Sequence, residues 1–582
     1  MKKLTATLAL GACMTTLAAH AETNWKQNFQ KLSDDYFDQV YFAYSPTSGT
    51  LAGYHQYDTK LEKMDRAALD AEAAALHAYE KKVETIPADQ LDQVTRGDRS
   101  LVLGNIRSQL LTLELIRPWE KNADNYSSLC ASASFALMER KFDTPDARLR
   151  SLIAREKQMP ALFVAARQNL KNPPRIFTEI AIEQLPGIVS FFEHDVPLAF
   201  TEVKDPALLA EFKTTNQAVI DALNSYQAWL KSDLLPRSTG DFRIGAEAFS
   251  KKLQYDEMVD LPLDKLLAIG WANLRENQQH FNKIAAEIEP GKDPRAVVEE
   301  LGAIHPAPDQ LLSTFRSTFD SIIGFIHSHH IVTIPSDVRP TLEETPPFMR
   351  ATTTASMDTP GPFETKATEA YFNVTLPDAS MKPEEVEGYM HGFNVGTIIS
   401  TAVHETYPGH YIQFLWVPQA PSRVRKLLGA NTNAEGWAHY TEQMMLDEGY
   451  GQPGLGAKDA REAKLIRLGQ LQDALLRNAR FIVGIEMHTD KMNIAQAEEF
   501  FQKEGYQSKE SAVVETKRGC GDPTYLYYTL GKLEILKLRA DLQKKEGANF
   551  NLQNFHDNFL KQGFPPVKIV REALLGDNSP AL

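Results

Sequence analysis

Apolar positions recur at helical spacing along most of this chain. Leu61 to Ile86 is rich in Ala, Leu, Glu and Lys, all strong helix formers, and the period predicts a helix there. Ala147 to Leu170, Pro206 to Leu230 and Leu263 to Ile288 read the same way. Strand patterns are few. Ile331 to Ile334 and Tyr371 to Thr375 are short β-branched or aromatic runs with proline close behind, and both are expected as strands. The turn-rich stretch Leu235 to Asp241 interrupts the helices and marks the best boundary. It divides a helical region, residues 22–240, from a second region, residues 241–582. Pro335 to Pro383, rich in Pro, Thr and Asp, is long for a plain loop and is expected to carry function or a small sheet.

The N-terminus follows another pattern. Lys2 and Lys3 precede an apolar-leaning run, and Ala19-His20-Ala21 offers small residues at the −3 and −1 positions of a cleavage site. Residues 1–21 therefore read as a secretory signal, which predicts a periplasmic or secreted protein. Leu10-Gly11-Ala12-Cys13 loosely resembles a lipoprotein box, but cleavage there leaves only a short apolar run, so anchoring at Cys13 is the less favoured reading. Beyond the signal, no stretch approaches the ~20 apolar residues of a membrane-spanning helix.

Charge narrows the function classes. The net charge is −14, and loss of the signal takes it to −16, which argues against a nucleic-acid binder. Only Cys130 and Cys520 remain in the mature chain, 390 residues apart, so a zinc site of four thiolates is excluded. Whether the two cysteines pair is not readable, although separate buried thiols are the plainer reading.

The chemistry concentrates in Thr397 to His410. Val395, Ile398, Ile399, Ala402 and Val403 line one side of a helix that ends in His404-Glu405. A His-Glu pair with a second histidine four residues on binds zinc, because four steps of about 100° return to the same face. Here the second histidine is His410, six residues on, and six steps leave it about 240° away. Pro408 cannot continue the helix, and Gly409 accepts backbone angles that other residues resist. If two residues loop out, His410 takes the place of the missing i+4 histidine.

A second helix is expected from Asn433, a good N-cap, through Glu435, His439 and Glu442. Glu435 and Glu442 lie seven apart and share a face. One can ligate a metal while the other supports a ligand imidazole, and His439 is a spare ligand. His327, His329 and His330 also cluster, at a helix end where exposure is the expected reading.

These motifs resemble the bacterial DUF885 family, whose members are regarded as relatives of the gluzincin metallopeptidases. The family pattern His-Glu-x-x-Pro-Gly-His is met by His404 to His410, and Glu-Gly-Trp-Ala-x-Tyr-x-Glu by Glu435 to Glu442. A Tyr-x-x-Gly near the C-terminus is met by Tyr528 to Gly531. A Pro-Gly-Gln triplet often seen before that tyrosine is absent, so Tyr525 and Tyr527 stay beside Tyr528 as candidates.

The resemblance covers nearly the whole mature chain. It implies a mainly α fold, a large helical gluzincin-like metallopeptidase body with a small β-sheet near the active site. It implies zinc held by His404, His410 and Glu435, with Glu405 as general base. Tyr528 is then expected to steady the oxyanion. Arg539, on the same face eleven residues later, is a candidate for a substrate carboxylate. Tyr371 and Asn373 are candidates for an edge strand to which a peptide substrate adds. The activity implied is hydrolysis of peptide bonds. An amidase on cell-wall peptides and a non-catalytic metal- or peptide-binding protein are the alternatives. Substrate length, exo- or endo-cleavage and oligomeric state are not readable.

Overall fold

The computed structural model describes residues 24–346, 350, 353–378 and 380–582, so the predicted signal and Cys13 lie outside the described residues. The chain is mainly helical with a small sheet. Leu263–Ile288 and Pro206–Trp229 form where the apolar period placed them. The first expected helix is shorter, Arg66–Glu84. Ala147 to Leu170 is two helices, Pro145–Glu156 and Met159–Asn169, separated at Lys157-Gln158. Among the described residues no helix is long and apolar enough to cross a membrane.

Ile331 to Ile334 is not a strand. Ile331 and Val332 are buried, but among the described residues no neighbouring strand reaches them. Side chains satisfy this backbone instead. Asp557 accepts from the Thr333 amide at 2.8 Å, His556 Nδ1 lies 2.6 Å from the Ile331 carbonyl, and Trp416 Nε1 donates to the Thr333 carbonyl at 3.2 Å. The irregular stretch 335–383 does supply the sheet. Its three strands are Thr341–Glu344, Ala355–Asp358 and Tyr371–Val374.

Tyr371–Val374 is the central strand, parallel to Thr341–Glu344 and antiparallel to Ala355–Asp358. Both of its sides are therefore paired, which corrects the expectation that Tyr371 and Asn373 line an open edge. Asn373 is buried between Glu343 and Ser356, and the Tyr371 ring lies 5.8 Å from the Arg140 guanidinium.

Three of the apolar clusters hold the motif helices and the two cysteines. Phe315, Phe319, Phe372, Ile398, Trp437 and Phe559 belong to one that encloses the motif helices. The helices between Ala123 and Leu234 share a second, which contains Cys130. Cys520 lies in a third, beside Tyr525, Tyr527 and Tyr528. Both thiols are free and buried.

Candidate metal centre

The helix Val395–Glu405 carries His404 at its last turn. Asn394 caps its start, accepting from the Gly396 and Thr397 amides at 3.0 Å each. That cap is worth about 1 kcal/mol. Burial of Ile398, Ile399 and Val403 contributes roughly 1.5–3 kcal/mol apiece, so packing holds this helix more than capping does.

The helix stops at Glu405, and a new helix, His410–Trp416, starts after Pro408-Gly409. Gly409 has a φ of −71°, so its role is not a left-handed turn. A Cβ there would stand 1.8 Å from the His404 carbonyl oxygen, and only glycine lets the chain fold back this closely. Trp437 Nε1 pins the turn by donating to the Pro408 carbonyl at 2.8 Å.

The third element, Asn431–Asp447, begins three residues earlier than the sequence suggests, with Ala430 at the cap position. Asn433 is not its N-cap; its amide donates to the Pro565 carbonyl at 2.7 Å. The buried Glu257 carboxylate covers the helix start instead, accepting from the Asn431 and Thr432 amides at 3.2 and 2.9 Å. This helix packs on Tyr527–Glu546 with almost no gap. A Cβ on Gly436 would lie 2.6 Å from the Gly531 Cα.

These elements bring His404, His410 and Glu435 together. One ligand atom from each lies within 4.8 Å of the others. Glu435 Oε2 stands 3.4 Å from His404 Nε2 and 3.5 Å from His410 Nε2. Two ligands on a tetrahedral zinc with bonds of about 2.0–2.1 Å are roughly 3.3–3.5 Å apart, so the spacing fits. The two rings are 4.9 Å apart and nearly perpendicular. Among the described residues the buried Glu435 Oε2 has no hydrogen-bond partner, which is costly for a carboxylate oxygen.

The far side of each imidazole is fixed. His404 Nδ1 lies 2.7 Å from Glu442 Oε1, and His410 Nδ1 lies 3.2 Å from Gln413 Oε1. Both oxygens accept, so each Nδ1 keeps its proton and each Nε2 is the nitrogen turned to the centre. Arg477 at 3.0 Å and His439 Nδ1 at 3.0 Å hold Glu442 in turn. His439 thus stands behind Glu442 and is not one of the three converging ligands. Burial and the nearby Lys532 push it down to about 3, so it is neutral.

Without a bound cation the centre draws protons. Burial opposes charge on His404, yet Glu435 and Glu442 outweigh it and lift the imidazole to about 10. His410 is raised in the same way, burial again being overcome by Glu435. Burial would raise the Glu435 and Glu442 carboxyls. The two imidazoles hold Glu435 well below the usual range, and Arg477 and His439 lead in holding Glu442 down.

Glu405 is half-buried next to His404 and makes no hydrogen bond or ion pair among the described residues. The Tyr528 ring lies 6.5 Å from the His404 ring. Its oxygen accepts from Arg518 at 3.0 Å, which leaves the phenol proton free to donate. Burial and Glu435 raise this phenol against the pull of nearby arginines, so it stays protonated. Its rivals are placed differently, and the buried Tyr525 hydroxyl has no hydrogen-bond partner among the described residues. Tyr527 donates to Asp522 at 2.8 Å, and Tyr525 is packed against Gly484 and Gly519.

Arg539 is not at the centre. It is bound to Glu448 at 2.6 Å and to the Tyr440 hydroxyl at 3.2 Å, so its charge is already matched. His327, His329 and His330 are exposed, as expected. Arg477, Gln413, Arg518 and Glu257 carried no signal in the sequence, because each meets the motifs only through the fold.

A family model described as bacterial protein of unknown function (DUF885) matches residues 46–574. No curated protein matches. A solved structure from Shewanella oneidensis, described as a candidate lipoprotein of unknown function, is 28% identical. The match covers 94% of this chain and 99% of that one, with a TM-score of 0.77. A candidate lipoprotein from Colwellia psychrerythraea is 18% identical over 95% of this chain and 99% of that one, with a TM-score of 0.79, and shares the fold. With nearly its whole length matched by the family model, the chain belongs to the DUF885 family.

Proposed function

We propose that the protein is an exported zinc peptidase that hydrolyses peptide bonds, those of short peptides above all. The observation that carries this reading is the buried Glu435 Oε2, without a hydrogen-bond partner among the described residues, set between two imidazoles whose Nε2 atoms face it. Two histidines and one carboxylate are the donor set of a catalytic zinc with a place left open. Imidazole is a poor ligand for hard cations, which favours zinc over magnesium or calcium. The gluzincin likeness of the motifs supports the same conclusion.

Zinc bound by His404, His410 and Glu435 would supply Lewis acidity, polarising the scissile carbonyl and bringing the pKa of water toward about 7. The chain's own groups do the rest. The Glu405 carboxylate accepts the proton of the attacking water and returns it to the leaving amine nitrogen. The Tyr528 hydroxyl donates to the oxygen on which charge develops. Arg518 keeps that hydroxyl oriented. The strand Ala355–Asp358 is an edge of the sheet and packs on the His404 helix, so an extended substrate is placed along it.

A non-catalytic binding role does not account for Glu405, a carboxylate beside His404 with no hydrogen bond or ion pair among the described residues. Export rests on the predicted leader. The two solved neighbours, described as candidate lipoproteins, keep anchoring at Cys13 as the alternative, and the intact mass of the mature chain separates the two. The test of activity is Glu405→Gln on a library of short peptides. Zinc and fold are expected to persist while hydrolysis falls by about 10²–10⁴. Wild-type rates in this variant would remove Glu405 from the reaction.

A further inference from the structure

A second group of the same donor types lies away from the first. His305, Glu387 and His391 each bring one ligand atom within 4.8 Å of the others. His305 Nε2 is 3.2 Å and His391 Nε2 is 3.6 Å from the same oxygen, Glu387 Oε1. These spacings bracket the 3.4 and 3.5 Å of the buried centre. The His305 side chain is 11% exposed, and its Nδ1 lies 2.9 Å from the Pro306 carbonyl oxygen. A carbonyl can only accept, so Nδ1 donates to Pro306, and Nε2 is left as the atom that would share an ion with Glu387. Glu387 and His391 stand four apart, on a helix (Pro383–Met390) and the turn that follows it. The position of His391 is fixed by Gly302, where a Cβ would come within 3.0 Å of its Nδ1.

We propose that His305, Glu387 and His391 form a second zinc site at the protein surface. It ties the segment after Gly302 to the helix that leads into the His404 helix. That junction already has one backbone link, the Val395 amide to the Ile304 carbonyl at 3.2 Å. An ion there adds a second link just ahead of Asn394, the cap of the helix that carries His404 and Glu405. Two imidazoles and a carboxylate select a borderline divalent cation, and zinc fits this donor set. With Glu387 61% exposed, water completes the coordination and the ion exchanges more readily than at the buried centre. The site is therefore structural rather than catalytic.

The test is zinc titration of the purified full chain by equilibrium dialysis, wild type beside Glu387→Gln, His305→Ala/His391→Ala and Glu435→Ala. Glu387→Gln alters an exposed side chain and guards against a failure to fold. The wild type is expected to take up two zinc ions. Glu387→Gln and the double variant are expected to lose the weaker one and keep the tighter. Glu435→Ala is expected to lose the tighter and keep the weaker. Equal zinc uptake by the wild type, Glu387→Gln and the double variant would overturn the proposal and leave the buried centre untouched. If Glu435→Ala binds as the wild type does while Glu387→Gln loses one ion, the surface site stands and the buried centre fails.

Discussion

The two histidine–glutamate clusters of this chain have the same donor types at nearly the same spacing, yet their surroundings differ. At the buried centre Glu435 Oε2 has no hydrogen-bond partner among the described residues, and Glu442, Arg477, His439 and Gln413 hold His404 and His410 from behind. At the surface Glu387 faces water and only His305 has its far nitrogen engaged by a carbonyl. Donor identity says which ion fits. Burial and the supporting hydrogen bonds say how tightly it is held and whether it can do chemistry, because a low-dielectric site strengthens each charge interaction.

Tyr528→Phe sharpens this contrast most. It removes a donor found beside the buried cluster, and kcat is expected to fall about 10²–10³-fold with KM little changed. Zinc content should stay as in the wild type. An equal loss through KM would make Tyr528 a binding residue.

Glu442→Gln comes next. It weakens the oxygen that orients His404, and zinc affinity at the buried centre is expected to drop about 10–100-fold, read by competition with a chelator. Surface binding should not move. If both affinities fall together, the support is global rather than local.

The pH dependence is the gentlest probe. His404 is raised from 6.5 to about 10 in the metal-free protein. Its contribution to stability is fully present below about 6.5 and is lost as pH rises through about 10. Zinc must displace that proton, so zinc affinity is expected to rise with pH across this window, by up to about tenfold per unit for each proton released. A flat profile between pH 7 and 9 would mean that the imidazole is already neutral.

The motif residues were legible because each has a local reason for its spacing. Pro408 and Gly409 explain how His410 follows His404 by six residues, although the glycine works through close approach and not through its backbone angles. Gly436 and Gly531 belong to two different motifs, and they meet where the Glu435 and Tyr528 helices touch. Contacts between distant segments were not legible. Asn433 looks like a cap, but Glu257, 174 residues from Asn431, does the capping. Ile331 to Ile334 has strand-like residues, but Asp557, His556 and Trp416 take its backbone groups and no strand among the described residues pairs with it. Arg539 shares a helix with Tyr528, but Glu448 neutralises it. The surface cluster was invisible for the same reason, since His305 stands 82 residues from Glu387.

The most direct measurement is metal analysis of the purified protein after remetallation with zinc and dialysis against a weak chelator, wild type beside Glu435→Ala. One zinc retained per wild-type chain and none in the folded variant is the predicted result. Zinc retained equally by both, or by neither, would contradict a buried centre built on His404, His410 and Glu435.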